Sequence, residues 1–305
     1  MTHSIELDGI RKSYGDFVAV DDLSLNIPAG TIYGLLGPNG AGKSTTIRML
    51  MDIIAPDKGE VRLFGRPRVP EDQDRIGYLP EERGLYQKMK VVDHLVFLAE
   101  LHGLTRSAAR PKIDAWLDRI DLADRAKSKV EELSKGMQQK IQLISTVLHE
   151  PEILVLDEPF SGLDPINQGL FKDLLSEYRG LGKTILFSTH IMEQAEKLCD
   201  HICLISDGRT LLNGELAAIK RGLRGNTYRL VADGNVDRIG EIDGIESVVR
   251  RTDGDDDGAL RLILGEAVAG SSILKQLVEF LDIHEFSSEE PDLETIFIKA
   301  VQDAD

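Results

Sequence analysis

The sequence GPNGAGKS at residues 37–44 constrains this chain more than any other segment. It has the spacing G-x-x-x-x-G-K-[ST], in which a glycine-rich loop surrounds phosphate oxygens with backbone N–H groups. An apolar, strand-like segment precedes it at residues 31–36, and a helix-like segment follows at residues 45–51. A helix that begins at such a loop presents unpaired N–H groups to an anion. We therefore expect an α/β P-loop fold that binds a nucleoside triphosphate.

Several residues in and before this loop are candidate ligands of the nucleotide. Lys43 is expected to reach the β- and γ-phosphates, and the Ser44 hydroxyl is expected to bind Mg²⁺. Tyr14 lies in a predicted hairpin turn upstream of the loop, where its ring can stack on an adenine or can serve packing alone. The other candidate contacts in the loop are Gly37, Asn39, Gly40, Gly42 and Thr45.

A second apolar strand, residues 153–156, ends in the carboxylates Asp157 and Glu158. Four consecutive apolar residues are typical of a buried parallel strand, and ligands bind at the carboxyl ends of such strands. Asp157 is therefore expected to hold Mg²⁺, directly or through water, and Glu158 to polarise a water for attack on a γ-phosphate. His190 follows another buried strand, residues 184–189, and is expected to face the same site.

Residues 91–149 change to helical spacing of their apolar residues, which predicts an all-helical insert of three helices. Ser134 stands where an N-cap of the third helix would stand, and capping alone would explain it. Gly136 in the first turn of that helix is unfavourable by about 1 kcal/mol. The glycine therefore suggests that the backbone approaches another group closely.

The order of these motifs over about residues 4–220 resembles that of the ATP-binding subunits of ABC transporters. The resemblance implies an ABC-type P-loop ATPase domain at residues 1–221, with an antiparallel β subdomain and a helical subdomain at about residues 87–149. Further family positions are matched by Tyr14 (adenine stacking), Glu81 (Q-loop), LSKGM at 133–137 (signature), Asp164 (D-loop) and His190 (switch histidine).

The resemblance also implies a mechanism. Two ATPase subunits, as a homodimer or a pair of related chains, would enclose ATP between the P-loop of one and the signature of the other. Ser134 and the backbone of Gly136 would then touch the γ-phosphate in trans, and Asp164 of the D-loop is a further candidate contact of the nucleotide. Glu158 would be the general base, and His190 would hold the γ-phosphate and the water. Closure and hydrolysis would drive a separate transmembrane permease.

Three residues depart from the family pattern. Lys135 replaces a glycine and Met137 a glutamine in the signature L-S-G-G-Q, and Glu81 stands where the Q-loop has glutamine. A carboxylate can still ligate Mg²⁺, but it cannot donate a hydrogen bond to water. Because the P-loop lysine, both strand-end carboxylates and the switch histidine are retained, we predict an active ATPase.

Residues 222–305 are expected to form a second module. They carry 8 basic and 19 acidic residues, which is −11 of the total net charge of −16. Their pattern follows β-α-β-β-α-β, a ferredoxin-like α+β order, and resembles the accessory C-terminal domain of ABC subunits in drug, sodium and multi-gene exporter systems. The acidic segment 253–258 is read as a charged hairpin tip, because it lacks the length and final glutamate of an EF-hand Ca²⁺ loop.

Composition limits the partners and the location of the chain. A net charge of −16 argues against a general nucleic-acid surface. No apolar run approaches 18 residues, so a permease would have to be a separate chain. Two cysteines and no secretory pattern suggest the cytoplasm, with the chain peripheral on the inner face of the cell membrane through the permease. The favoured function is the ATPase of an exporter. The alternatives are a soluble ABC ATPase acting on a nucleic-acid or ribosomal partner, and a non-catalytic nucleotide-binding regulator.

Overall fold

The computed structural model describes residues 3–82, 84–222, 227–250, 258–265, 268–289 and 291–302. The chain divides into two compact units, Met1–Asn213 and Gly214–Asp305. The division between Asn213 and Gly214 lies before the domain border predicted at 221/222, which stays a prediction. The helix Leu216–Gly222 lies between the two positions. The acidic tip at 253–257 and residues 223–225 of the predicted border lie outside the described residues.

The first unit combines the strands of two sheets with a set of helices. Its described strands are β1 (His3–Tyr14), β2 (Phe17–Pro28), β3 (Ile32–Leu36), β4 (Lys58–Leu63), β5 (Arg66–Pro67), β6 (Ile76–Leu79), β7 (Ile153–Asp157), β8 (Thr184–Thr189), β9 (His201–Ser206) and β10 (Arg209–Glu215). Its described α-helices are α1 (Lys43–Leu50), α2 (Val91–Leu101), α3 (Arg106–Arg119), α4 (Lys135–Val147), α5 (Pro165–Gly180) and α6 (Met192–Leu198). Short 3₁₀ turns span Pro70–Arg75, Ala123–Arg125 and Val130–Glu132.

A four-stranded sheet in the order β2-β1-β4-β5 forms the antiparallel part of the unit. The predicted hairpin is confirmed: β1 and β2 are antiparallel, and Tyr14 pairs with Phe17 across a two-residue turn. Gly15 in that turn has φ 60°, which a glycine adopts without steric penalty. The hairpin thereby leaves two exposed aromatic rings at its tip.

A six-stranded sheet in the order β10-β9-β3-β8-β7-β6 forms the second layer. Strands β9, β3, β8, β7 and β6 are mutually parallel. Strands β3, β7 and β8 are buried along their whole length, which explains their continuous apolar sequences. Because parallel neighbours end at one edge, the P-loop, the residues after β7 and the residues after β8 meet there.

The predicted helical insert is confirmed as α2, α3 and α4 around an apolar cluster of its own, which includes Leu95, Ile113 and Ile144. Thr105 caps α3 by accepting from the backbone N–H of Ala108. Ser134 caps α4 in the same way by accepting from Met137 at 3.3 Å. Among the helices of the described segments, none is both long and apolar enough to cross a membrane.

The second unit contains a four-stranded antiparallel sheet. Its described elements are α7 (Leu216–Gly222), β11 (Thr227–Gly234), β12 (Ile245–Arg250), β13 (Leu260–Leu264), α8 (Gly270–Leu277), β14 (Leu281–Ser288) and α9 (Leu293–Gln302). The order β12-β13-β11-β14 is the ferredoxin-like arrangement predicted from the sequence. The first helix of the predicted β-α-β-β-α-β order is instead a 3₁₀ turn, Val236–Glu241, because six residues hold too few i→i−4 bonds for a stable α-helix.

Candidate functional site

The P-loop joins the end of β3 to the start of α1, as the sequence predicts. A Cβ added at Gly37 would lie 2.2 Å from the Ile205 carbonyl oxygen, and one added at Gly42 would lie 2.4 Å from that of Ala19. Both positions therefore require glycine so that the loop can lie against its neighbours. Helix α1 has no side-chain cap, which leaves the N–H groups of its first turn available to an anion.

Lys43 is a buried cation at the base of this loop. Its side chain is 6% exposed, and Nζ donates hydrogen bonds to the carbonyls of Gly37 at 2.8 Å and Pro38 at 3.1 Å. The same nitrogen lies 3.4 Å from Glu158 Oε1. Lys43 thus connects the loop to a carboxylate that follows β7.

Asp157 ends β7 and is held by two hydroxyl groups. Ser188 on the neighbouring strand β8 donates to Asp157 Oδ1 at 2.6 Å, and Ser44 donates to the same oxygen at 3.3 Å. A hydroxyl and a carboxylate oxygen are ligands that Mg²⁺ prefers. Their close approach fits the predicted metal role of Ser44 and Asp157.

Glu158 has an uncommon backbone conformation for a residue with a side chain, with φ 48°. Its N–H donates to Ser188 Oγ at 2.9 Å, which fixes this conformation. Oε2 lies 3.0 Å from Nδ1 of His190, while Oε1 is buried and accepts no hydrogen bond from the residues that the structure describes. One carboxylate oxygen is therefore oriented by His190, and the other remains an available acceptor.

Nine of the predicted residues line one cavity of about 420 Å³, named here the P-loop cavity. Its lining consists of Tyr14, Phe17, Ala19, Asn39, Gly40, Gly42, Lys43, Ser44, Thr45, Glu81 and Glu158, of which all but Phe17, Ala19 and Glu158 were predicted to bind nucleotide or Mg²⁺. Glu158 was predicted as the base. The size is ordinary for a small-molecule site. The lining combines two aromatic rings with a buried cation, which suits a base and a phosphate chain.

A second cavity of about 510 Å³, the carboxylate cavity, adjoins the same acidic residues. Glu81 and Glu158 line both cavities. Its complete lining is Leu79, Pro80, Glu81, Glu82, Gln139, Gln142, Asp157, Glu158, Ser161 and Gly162. The loop after β6 and the loop after β7 therefore face each other across one space.

A third cavity of about 300 Å³, the helical groove, is lined by residues of the sheet edge and of the helical insert. Pro80 and Gln142 line both the groove and the carboxylate cavity. Burial lowers the pKa of His149 in this groove to about 4, and its ring stacks on His102 with centroids 3.9 Å apart. Ile53, which also lines the groove, is 55% exposed.

Six predicted residues do not line the P-loop cavity: Gly37, Asp157 and His190, which hydrogen-bond to residues that do, and Ser134, Gly136 and Asp164. Asp164 caps α5 by accepting from the backbone N–H of Asn167 at 3.0 Å, and this bond lowers the pKa of Asp164. A Cβ added at Gly136 would lie 3.1 Å from Asn167 Nδ2. The close approach that the glycine suggested is thus made, within this chain, to the start of α5.

Sequence reasoning missed three kinds of residue at the site. Phe17 pairs with Tyr14 at the hairpin tip, and an aromatic residue three positions after another in a hairpin was a usable signal. Ser188 lies opposite Asp157 in the strand register, which needs the tertiary pairing. Gln139 and Gln142 lie further along α4, where a glutamine in the sequence does not indicate a role in a binding site.

Comparisons with known proteins agree with this geometry. The family model for the ABC transporter matches residues 20–161, and the model for the C-terminal domain of DrrA1-3-like ATP-binding proteins matches residues 214–301. An uncharacterized ABC transporter ATP-binding protein of Bacillus subtilis, YhaQ, is 42% identical over 297 residues, which cover 97% of this chain and 98% of that protein.

A further relative and a solved structure each match a smaller share of the chain. The Nod factor export ATP-binding protein I of Paraburkholderia xenovorans is 39% identical over 219 residues, which cover 71% of this chain and 72% of that protein. A solved structure of the ATP binding subunit of an ABC transporter superposes with a TM-score of 0.67 at 31% identity, covering 72% of this chain and 92% of that one.

Proposed function

Because the chain belongs to the family of ABC transporter ATP-binding subunits, we propose that it hydrolyses ATP in the P-loop cavity with Glu158 as the general base. Members of this family are ATP-hydrolysing subunits of transporters, and this chain is one of them. One observation carries the assignment of residues: side chains from the P-loop and the strand ends form two sets of contacts, Lys43–Glu158–His190 and Ser44–Asp157. Ser188 joins the two sets, because its hydroxyl donates to Asp157 and accepts from the backbone N–H of Glu158.

The arrangement supports a defined role for each side of the Glu158 carboxylate. His190 holds Oε2, so the side chain keeps one orientation. Oε1 is then the oxygen that takes the proton from the attacking water. Lys43 and the free N–H groups of α1 draw the phosphate chain into the loop, because a buried cation and a helix N-terminus both favour anions.

Mg²⁺, when bound, neutralises the charge that develops on the phosphoryl group during transfer. Ser44 and Asp157 are the residues that would hold it, since their oxygens already lie 3.3 Å apart. Glu81 is a third oxygen donor, because it lines both cavities beside Asp157 and Glu158.

The test is ATP turnover by the purified protein in the presence of Mg²⁺. Glu158→Gln keeps the size of the side chain but cannot accept the proton, so we expect turnover to fall by about 100-fold or more while ATP still binds. Glu82→Gln, which removes a neighbouring charge in the carboxylate cavity, is the matched control and should retain turnover. Wild-type protein that fails to hydrolyse ATP, alone and with its permease, would contradict the proposal.

Head-to-tail pairing with a second ATPase subunit is the next part of the proposal. Ser134, Gly136 and Asp164 are neighbours at the starts of α4 and α5, outside the P-loop cavity of their own chain. A paired subunit, either a second copy or a related chain, would bring the corresponding residues to the γ-phosphate. In this arrangement Lys135 would lie near the phosphate oxygens of the nucleotide bound to the paired subunit.

The membrane partner is proposed to be a separate permease that contacts the helical groove. Ile53, which lines the groove, is an exposed apolar side chain, at 55%. Pro80 and Gln142 are shared between the groove and the carboxylate cavity, so an occupant of the groove can shift the loop that carries Glu81. The chain would then lie on the cytoplasmic face of the cell membrane.

Export is the proposed direction of transport. Support comes from the relatives named as Nod factor export proteins and from the DrrA-like C-terminal match. Co-purification of the permease from membranes, followed by transport into inverted vesicles, tests both partner and direction. Accumulation of cargo inside right-side-out vesicles would contradict export. The alternative of a nucleic-acid or ribosomal ATPase gains no support from these relatives.

A further inference from the structure

Gln142 is a buried amide on α4 that contacts the loop after β6. The residue is 5% exposed, and its Nε2 donates to the carbonyls of Pro80 at 3.1 Å and Glu82 at 3.5 Å. These two carbonyls lie immediately before and after Glu81. One side chain therefore holds the backbone on both sides of the residue that we propose as a Mg²⁺ ligand.

Gln139 makes the equivalent contact to the other acidic loop. It lies three residues earlier on α4, which places it on the same helical face as Gln142. Its Nε2 donates to the carbonyls of Pro159 and Ser161, both at 3.3 Å, in the loop that follows Glu158. Two amides therefore tie helix α4, which Ser134 caps, to both loops that line the carboxylate cavity.

We propose that Gln142 is a positioning residue for Glu81 that sets the affinity of the active site for Mg²⁺. Glu81 is exposed, so the direction in which its carboxylate leaves the chain is fixed by its backbone. Without the two hydrogen bonds from Gln142, the loop can take other conformations, and Glu81 must be ordered again when the cation binds. The inference rests on the proposed role of Glu81 in binding Mg²⁺.

Gln142 also brings to this loop the amide donors that Glu81 lacks, although they bond to the backbone carbonyls of Pro80 and Glu82 and not to a water. Gln142 lines the helical groove as well, so the same amide borders the surface proposed for the permease.

The experiment is the Mg²⁺ dependence of ATP turnover at saturating ATP, together with the Mg²⁺ dependence of ATP binding measured by equilibrium dialysis. Gln142→Met keeps most of the side-chain volume but removes both N–H donors, and we expect the half-saturating Mg²⁺ concentration to rise about five- to tenfold. Gln138→Met is the matched control: its Nε2 donates to two other carbonyls, those of Val130 and Leu133, and its half-saturating Mg²⁺ should not change. An unchanged Mg²⁺ dependence of Gln142→Met would overturn the proposal.

A double variant separates positioning of Glu81 from a general loss of structure. In a Glu81→Ala background, which leaves no side-chain oxygen, Gln142→Met should cause no further shift in half-saturating Mg²⁺, because its effect is exerted through Glu81. A full additional shift there would show that Gln142 acts elsewhere. If Glu81→Ala alone leaves the Mg²⁺ dependence unchanged, the metal role of Glu81 fails, while ATP turnover itself still tests the proposed ATPase. Should Gln142→Met not fold, Gln142→Leu, which also lacks N–H donors and adds no charge, takes its place.

Discussion

Ser188 has no role in the proposed reaction, but we expect its hydroxyl to stabilise the two carboxylate residues of the site. Its hydroxyl is fully buried, donates to Asp157 at 2.6 Å and accepts from the backbone N–H of Glu158 at 2.9 Å. Ser188→Ala removes a hydrogen bond to a buried carboxylate and leaves a buried N–H unpaired. The two losses together are expected to lower the free energy of unfolding of the first unit by about 3 kcal/mol.

The measurement is urea denaturation followed by tryptophan fluorescence. Trp116 is the single tryptophan of the chain and lies on α3, so its signal reports the first unit. Ser176→Ala is the matched control, because that hydroxyl only donates to the Lys172 carbonyl on an exposed helix surface. A loss below about 1 kcal/mol for Ser188→Ala, with the denaturant slope unchanged, would refute the view that this hydroxyl supports both carboxylate residues.

Three further predictions concern nucleotide binding, pH and the second unit. Lys43→Ala should lose ATP binding, whereas Ser134→Arg should retain ATP binding and block ATP-driven pairing. Equilibrium dialysis measures the binding and size-exclusion chromatography the pairing, and intact pairing of Ser134→Arg would contradict the shared site. Burial lowers the pKa of His94 to about 4, so the unfolded state binds more protons between pH 6.5 and 4, and stability should fall with acidification by up to about 1.4 kcal/mol per pH unit. His94→Leu should reduce that slope, as measured by urea denaturation at several pH values. Arg261→Met should destabilise the second unit by about 3 kcal/mol, because Asp292 would lose its buried partner; an unchanged thermal transition of that unit would be inconsistent with this.

The fold could be predicted because its strongest signals are local. The P-loop requires its strand and its helix, and buried parallel strands such as β7 have continuous apolar sequences. The second helix of the C-terminal module shows the limit of this reasoning, because the apolar spacing predicts a helix over residues 271–281. Apolar residues continue at helical spacing, but α8 ends at Leu277 and Leu281 already pairs in β14. Tertiary pairing therefore overrides local periodicity at such borders.

The candidate site was predictable where the residue type itself indicates the chemistry. Lys43, Asp157 and Glu158 belong to motifs whose spacing is fixed by the phosphate and the cation. Ser188 and Gln142 act through contacts between distant segments, 31 and about 60 residues apart in sequence, and neither residue type is unusual. Such supporting residues become visible only when the neighbouring strands and the insert are in place.

The separation of Ser134 and Gly136 from the P-loop cavity has a consequence for cellular stoichiometry. If the γ-phosphate is contacted only when a second chain supplies these residues, a single copy would retain its nucleotide for long periods without degrading it. The rate of ATP consumption would then follow the number of assembled pairs and not the number of chains synthesised. Overproduction of this subunit beyond its partners would leave the ATP demand of the cell nearly unchanged.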